Sequence, residues 1–318
     1  MRKVAPALVI TALLVISSGC LQFGDDELMP EDEMRSLVVK VSSYARETDP
    51  DFVVIVSNGE DLATDDGRRA NGYLNAIDGV ARDDLFFGWN GMDAPTPWTI
   101  SEDLSARLNE SKDAGKVVMV VDRCSIPGYL WDSMEWANER DFLYFASDSE
   151  DLETIPEYPA DPPGAHNGDV NSLSDARNLL VLTVSKAWGS REDYLDSLRG
   201  TNFDVLVIDG FFNKTPLTPE EVDSLRVKKG GGERLVIAVM GLGEVDERQH
   251  IWKDHYEAQP SGWLGKEVPG QPGIHRVKYW EKGWRTVLFK SEESWLDSLM
   301  ASTFDGVYLM GGDAHEGY

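Results

Sequence analysis

Carboxylic acids follow many of the apolar runs in this chain, at the positions where buried strands would end. Residues 235–240 form one such run, followed by Glu244, and residues 307–310 form another, followed by Asp313 and Glu316. Paired carboxyl groups can cleave a glycosidic bond, because one protonates the leaving oxygen while the other attacks or activates water. Clustered acids can also bind a metal ion, but the chain has no histidine pair and no DxDxDG loop. We therefore expect neither a metal site nor a cofactor.

Nearly every apolar run ends close to a polar side chain that could face one common site. Acids at strand ends can also be helix caps, and that alternative covers Asp148 and at least one other residue. Tryptophans near the rim would suit stacking on sugar rings, although each is more often a packing residue; they are Trp89, Trp188, Trp252, Trp263 and Trp280. The candidate rim residues are Asn58, Glu60, Arg82, Asp83, Asp122, Asp148, Lys186, Asp209, Glu244, Asp313 and Glu316.

The elements that would carry these residues alternate between strands and helices. Continuous apolar runs indicate strands that are buried on both faces, and hence a parallel sheet. Eight such strands in about 300 residues favour a single (β/α)8 TIM barrel of the α/β class over a doubly wound sheet. Active sites of such barrels lie where the strands end. The predicted strands are 52–56, 73–80, 117–121, 142–146, 179–184, 205–208, 235–240 and 307–310.

Helical spacing of apolar residues predicts the connecting helices. The predicted helices are 31–47, 100–116 with Ser101 as its cap, 129–138, 191–198, one that begins at 218 and one between 284 and 302. Residues 153–175, rich in proline, are predicted to be an extended connector inside a barrel domain of residues 34–318. Residues 251–280 are predicted to be a long loop. No GxGxxG or Walker loop follows a strand, which argues against a nucleotide site.

The first twenty residues are typical of a secretion signal, with Arg2 and Lys3 ahead of an apolar stretch. Ser18-Gly19-Cys20 resembles a lipoprotein lipobox, which would place a lipid on Cys20; the alternative is a plain cleaved signal. Residues 21–33 would then be an acidic tether. Both versions predict an extracellular or cell-surface protein, and the lipidated version would contact the membrane through its lipid anchor only. If Cys20 carries lipid, Cys124 has no cysteine left to pair with, and no intramolecular disulfide can form.

The charge balance excludes one class of partner. The 318 residues include 30 basic and 56 acidic ones, which gives a formal net charge of −26. A polyanion would be repelled, so we expect no nucleic acid partner. The surplus of acid is consistent either with a solvated acidic surface or with a preference for cationic or neutral ligands.

Short sequence motifs that resemble those of a known family occur along nearly the whole chain after the tether. They are Leu235-Val-Ile-Ala-Val-Met-Gly-Leu-Gly-Glu244, Val277-Lys-Tyr-Trp280, Phe304-Asp-Gly-Val-Tyr-Leu309, Asn75-Ala-Ile-Asp-Gly79 and Asp83-Asp84-Leu85-Phe86. Together these blocks resemble glycoside hydrolase family 114, the endo-α-1,4-polygalactosaminidase-like TIM barrels. The resemblance implies a (β/α)8 barrel that acts on an extracellular, galactosamine-containing polysaccharide.

The chain departs from that family in two respects. The family blocks that match residues 176–318 come first and those that match 31–150 come second, so this chain looks circularly permuted. Permutation predicts that strand 52–56 pairs with residues 305–310. Met310 stands where the family has a favoured catalytic aspartate, and a thioether can neither attack nor transfer a proton.

We therefore expect a secreted or lipid-anchored glycoside hydrolase-like protein whose working carboxylates are Glu244 and Asp313. The expected partner is a carbohydrate polymer. Substrate would be positioned by Asn58, Glu60, Arg82, Asp83, Asp209 and Glu316. One alternative is a non-catalytic carbohydrate-binding protein derived from such a hydrolase, which Met310 favours. Another is a structural protein of the cell envelope.

Overall fold

Eight parallel strands form a nearly closed barrel in the computed structural model, which describes residues 29–291 and 293–318. The strands are buried along almost their whole length, because helices and loops cover the outer face while side chains fill the interior. The predicted TIM-barrel fold is thus confirmed. The strands are β1 (Val53–Ser57), β2 (Gly79–Asp83), β3 (Val117–Arg123), β4 (Leu143–Ser147), β5 (Leu179–Leu182), β6 (Val205–Ile208), β7 (Leu235–Gly241) and β8 (Gly306–Met310).

The strand order around the barrel is β4–β3–β2–β1–β8–β7–β6–β5. The predicted pairing of β1 with β8 is present, with Val53 opposite Gly306 and Val56 opposite Leu309. Among the described residues no hydrogen-bonded ladder joins β4 to β5. This seam is the place where the proline-rich connector runs, and Pro156, together with Phe203, lines a small apolar cavity there.

Helices cover the outside of the barrel. They are α1 (Pro30–Arg46), α2 (Asn71–Ala76), α3 (Trp98–Asp113), α4 (Pro127–Glu139), α5 (Arg191–Arg199), α6 (Pro219–Leu225), α7 (His255–Ala258), α8 (Lys282–Leu288) and α9 (Trp295–Ala301). Among the described residues, none of the helices is both long enough and apolar enough to span a lipid bilayer. The predicted signal peptide, Cys20 and most of the tether lie outside the described residues, and the last tether residues, 30–33, belong to α1.

Four predictions of local structure are wrong. The predicted strand 73–80 begins as helix α2, because Tyr73, Leu74 and Ala76 all reach the core from a short helical turn. The single helix predicted between 284 and 302 is two helices, α8 and α9. Helix α3 begins ahead of Ser101, which is buried and does not cap it. The predicted loop 251–280 contains α7 and two strands of a three-stranded antiparallel sheet, made of Glu244–Asp246, Leu264–Glu267 and Ile274–Val277.

An Asp-Gly pair begins β8 and ties it to its neighbours. The Asp305 carboxylate accepts a hydrogen bond from the backbone N–H of Val236 in β7 at 2.7 Å. Gly306 lets β1 approach closely, since a Cβ atom there would lie 2.3 Å from the carbonyl oxygen of Val53. Asp78 has the same role ahead of β2: its carboxylate accepts a hydrogen bond from the backbone N–H of Val54 in β1 at 2.7 Å. Two blocks of the family resemblance therefore have a structural explanation at the amino ends of the strands.

Replacing Gly306 with alanine should destabilise the barrel, because the added methyl group overlaps the backbone of β1. We expect the free energy of unfolding in urea to fall by about 1–3 kcal/mol, the usual cost of overpacking. Gly128→Ala is the matched control, since that helical position has open space around it and alanine favours helix. Equal stability of the two variants would contradict this account of the β1–β8 contact.

Candidate functional site

The acids that follow β8 lie at the mouth of the barrel. Asp313 and Glu316 belong to a short 3-10 helix, Gly312–Gly317, and line two adjoining cavities. One cavity of about 520 Å³ also contains Arg82 and Trp89, and the other, of about 300 Å³, contains Glu244. We call the two together the acidic cleft. Its residues used below are Glu60, Arg82, Trp89, Glu244, Arg276, Asp313, Glu316 and Tyr318.

A close backbone approach brings Glu244 beside the acids that follow β8. Gly243 precedes Glu244, and a Cβ atom on Gly243 would lie 2.1 Å from the Cβ of Ala314. Only glycine leaves room for the turn after β7 to meet the 3-10 helix at this point. The predicted catalytic pair, Glu244 and Asp313, thus lines one cavity.

Arg82 is one of two arginines that line the larger cavity of the cleft; the other is Arg107. Nη1 of Arg82 donates to Oε1 of Glu60 at 2.8 Å, and Glu60 is only 4% exposed. Burial raises the pKa of Glu60, while the Arg82 charge opposes that rise. A carboxylate removed from water is tolerated when an opposite charge and hydrogen bonds compensate it. Glu60 is therefore held in a fixed position by Arg82.

Asp83 and Asn58 form a connected pair at the ends of β2 and β1. The backbone N–H of Asp83 donates to Oδ1 of Asn58 at 3.0 Å, and Nδ2 of Asn58 donates to Oδ2 of Asp83 at 3.4 Å. Asn58 adopts a φ of 53°, a left-handed conformation that asparagine tolerates better than most residues. Burial raises the pKa of Asp83, against the opposing charge of Arg123.

Asp313 combines several of these influences in one carboxyl group. Burial raises the pKa of Asp313 to about 6, the nearby charge of Arg82 opposes the rise, and Asp83 and Glu316 add to it. Glu244 is partly exposed to solvent, so only partial desolvation raises its pKa, and Arg276 opposes that rise. A carboxyl group that keeps its proton close to neutral pH can act as a general acid. The cleft therefore contains a proton donor and a second carboxyl group in one cavity.

Asp209 lies in a different part of the mouth from the other predicted site residues. It lines a third cavity, of about 530 Å³, together with Ser185, Lys186, His250 and Met310. Burial raises the pKa of Asp209, although its carboxylate accepts from the Ser185 hydroxyl at 2.8 Å. Met310 lines this third cavity and does not line the acidic cleft.

Asp122 and Asp148 of the predicted rim, like Asp83, line none of these three cavities. Asp122 is fully buried, accepts from the backbone N–H of Phe86 at 3.1 Å, and has its pKa raised to about 8 by burial. Asp148 is exposed and accepts from the hydroxyl of Thr154 at 2.6 Å. Asp122 points away from the mouth because alternation along a strand turns every second side chain outward, and Asp148 lies beyond the end of β4.

Of the five rim tryptophans, only Trp89 lines the acidic cleft, and 40% of its surface is exposed. Trp252 and Trp263 are buried, where they pack against Tyr256 and support the three-stranded sheet. Tryptophan content alone could not separate these cases, since packing and stacking use the same residue type. Arg276 and Tyr318 of the cleft gave no sequence signal: the fold of the predicted loop brings Arg276 there, and Tyr318 follows the 3-10 helix. The described residues include no cluster of three or more His, Cys, Asp or Glu side chains suited to a metal ion.

Comparisons with known proteins leave the family open. No family model matches the chain. The chain is 29% identical over 159 residues to a protein of Methanocaldococcus jannaschii, a match that covers 47% of this chain and 44% of that relative. It is 26% identical over 119 residues to a protein of Thermotoga maritima, covering 37% and 35% of the two chains. A Deinococcus radiodurans protein is 26% identical over 141 residues, which are 43% of each chain.

All three relatives are described only as uncharacterized proteins. The chain spans less than half the length of each of them in these matches. The relatives thus support common descent over part of the chain and carry no statement about activity.

Replacing Arg82 with methionine should destabilise the protein in a pH-dependent way. Without Arg82, burial raises the pKa of Glu60 further above its unfolded-state value of 4.5. Stability is then retained at low pH and lost as the pH rises above that value. We expect a loss of about 3 kcal/mol at pH 8 and a much smaller loss at pH 5, measured by urea unfolding.

Adding Glu60→Gln to Arg82→Met should restore most of the stability at pH 8, because the buried carboxylate that Arg82 paired with is then replaced by a neutral amide. Arg107→Met is the matched control, since Arg107 forms a similar pair with Asp61 but at the surface. That control should change stability by about 1 kcal/mol or less at either pH. A loss in Arg82→Met that does not vary with pH would contradict the role assigned to Glu60.

Proposed function

We propose that this chain is a glycoside hydrolase that cuts an extracellular polysaccharide in the acidic cleft. The observation that carries the proposal is the placement of Asp313, with a pKa of about 6, in the same cavity as Glu244. Glycoside hydrolysis requires two carboxyl groups that flank the bond to be cut, and active sites of (β/α)8 barrels lie at the strand ends. The resemblance to glycoside hydrolase family 114 supports the same reaction.

The two carboxyl groups would have different roles because one is protonated and the other is ionised. Asp313 donates its proton to the glycosidic oxygen, and the bond between that oxygen and the anomeric carbon breaks. Glu244 acts as the partner carboxylate and accepts a proton from the water whose oxygen bonds to the anomeric carbon. Arg276, opposite Glu244 in the three-stranded sheet, supports the negative charge that this role needs.

The remaining residues of the acidic cleft would hold the sugar. Trp89 offers an exposed aromatic face on the wall of the larger cavity, suited to the apolar face of a pyranose ring. Glu60 and Glu316 line the same space with carboxyl groups. An unacetylated amino sugar is cationic and would be attracted to these acids. We therefore propose a polymer that contains amino sugars as the substrate of a secreted or surface-anchored protein.

A second candidate function is carbohydrate binding without cleavage. The observation that favours it is Met310, which lines the mouth at the position where the resembling family has an aspartate. A protein that had lost catalysis would keep the cleft, Trp89 and the Glu60–Arg82 pair, since those residues hold sugar and maintain the fold.

We also propose that the chain is circularly permuted relative to the resembling family. The seam between β4 and β5 and the connector that crosses it support this order, and so does the extent of the matches to the relatives. A linear alignment of two permuted chains stops near half of each, as the match of 47% of this chain to 44% of the archaeal protein does. Placing residues 176–318 ahead of residues 29–175 should extend that match well beyond 159 residues. No extension would contradict the permutation.

Hydrolysis of galactosamine-containing polysaccharide by the wild type should be lost in Glu244→Gln and in Asp313→Asn. We expect a loss of at least about 100-fold in kcat/KM for each, the usual contribution of a positioned acid or base. Asp148→Asn is the matched control, because that strand-end acid lies outside the cleft and should leave the rate unchanged. The wild-type rate should fall as the pH rises above about 6, since Asp313 must hold its proton.

Binding of the polymer with no release of reducing ends would contradict the hydrolase proposal and favour the binding protein. Full activity in Glu244→Gln would contradict the assignment of the site, even if the wild type is an enzyme. Release of reducing ends is the readout in all cases.

A further inference from the structure

The third cavity differs in charge from the acidic cleft. It lies at the ends of β5, β6 and β7, and three cationic side chains line its wall: Lys186, Lys214 and Arg248. This is unexpected in a chain with 30 basic and 56 acidic residues. We call it the lysine cavity. Its volume of about 530 Å³ is within the range of about 300–1,000 Å³ that is usual for small-ligand sites.

The acids of the lysine cavity have partners of their own. Asp246 accepts from Nε of Arg248 at 2.7 Å, and Glu247 contacts Nε2 of His275 at 2.8 Å. Asp209 accepts from the Ser185 hydroxyl and from a backbone N–H in the turn that follows β6. Asp246 is thus paired with a cation, and Glu247 and Asp209 accept hydrogen bonds from partners within the protein.

Among the described residues, neither lysine of the cavity is held in an ion pair. The Lys214 ammonium donates to the backbone oxygen of Glu247 at 3.2 Å, and Lys186 forms no ion pair among the described residues. Both side chains are exposed, and both act electrostatically on groups that line the cavity. Burial, reinforced by Lys214, lowers the pKa of His250 to about 3, and Lys186 contributes to the lowered pKa of Asp246.

Apolar and aromatic side chains form part of the floor of the cavity, next to Asp209. Met310 and Val239 lie at the strand ends, and beside them the ring of His250 stacks on Phe211 at 3.5 Å between centroids. Trp295 meets His250 edge to face at 5.3 Å. An aromatic and aliphatic floor below two cations suits a ring-shaped ligand with an apolar face and an anionic substituent.

We propose that the lysine cavity binds a sugar residue that carries an anionic group, a carboxylate or a sulfate or phosphate ester. Lys186 and Lys214 would pair with the anion, and the ring would rest on Met310 and His250. This inference rests on the proposed function for its polymer, since the cavity shares the barrel mouth with the acidic cleft. The substrate would then alternate cationic or neutral sugars with acidic ones.

Binding of a galacturonic acid trimer is the direct test, measured by calorimetry at low salt with Glu244→Gln protein so that no turnover occurs. We expect the charged trimer to bind more tightly than a neutral galactose trimer. The double variant Lys186→Met/Lys214→Met should weaken binding of the charged trimer about fivefold or more, as two exposed ion pairs would. Met310→Asp, which adds a negative charge to the floor, should also weaken it.

Lys229→Met/Lys282→Met is the matched control, because it removes the same charge from exposed lysines that do not line the cavity. An equal loss in that control would overturn the proposal, and so would equal affinity for the neutral trimer. Inorganic phosphate or sulfate binding as tightly as the charged trimer would also overturn it, since the sugar ring would then contribute nothing. Lysine-dependent binding without any hydrolysis of polymer would contradict the proposed function alone.

Discussion

The barrel mouth depends on two arginines that allow several carboxyl groups to be withdrawn from water. Arg82 contacts Glu60 and acts on Asp83 and Asp313, while Nη1 of Arg123 pairs with Asp84 at 2.7 Å. Burial would otherwise protonate these acids or open the loops that carry them. The arginine charges offset the effect of burial only in part, so the pKa of Asp313 is about 6. Near that pH, Asp313 exists as a mixture of its protonated and ionised forms. The same balance that stabilises the loops thus creates a proton donor.

The mouth is divided by the strands that contribute to it. Strands β1, β2 and β8 lead to the acidic cleft, and β5 and β6 lead to the lysine cavity. Strand β7 contributes to both, since Val239 lines the lysine cavity and Glu244, after the strand, lines the cleft. Met310, at the end of β8, belongs to the lysine cavity although Asp313, three residues later, belongs to the cleft. The glycine pair between them lets the chain turn from one to the other, with Gly311 at a φ of 83°. A substitution at residue 310 is therefore a change to the floor of the neighbouring cavity.

Much of the fold could be predicted because a parallel barrel leaves a simple pattern, namely short apolar runs that end in polar residues. The pattern does not separate a strand from a helix in a short apolar segment, as in α2, whose apolar residues fit a strand equally well. Site prediction was harder for a physical reason. Asp209, Asp122 and Glu244 all follow or end apolar runs, and only side-chain direction and loop packing assign them to different surroundings. Trp89 and Trp263 differ in the same way.

The most direct test of this account is the titration of Asp313 itself, followed by infrared or NMR signals of labelled aspartate and assigned with Asp313→Asn. The account predicts a midpoint near pH 6 in the wild type. It also predicts a higher midpoint in the Arg82→Met/Glu60→Gln protein, where the opposing charge of Arg82 is gone. A wild-type midpoint near about 4, the value of an aspartate in water, would contradict the central claim that the acidic cleft holds a proton donor.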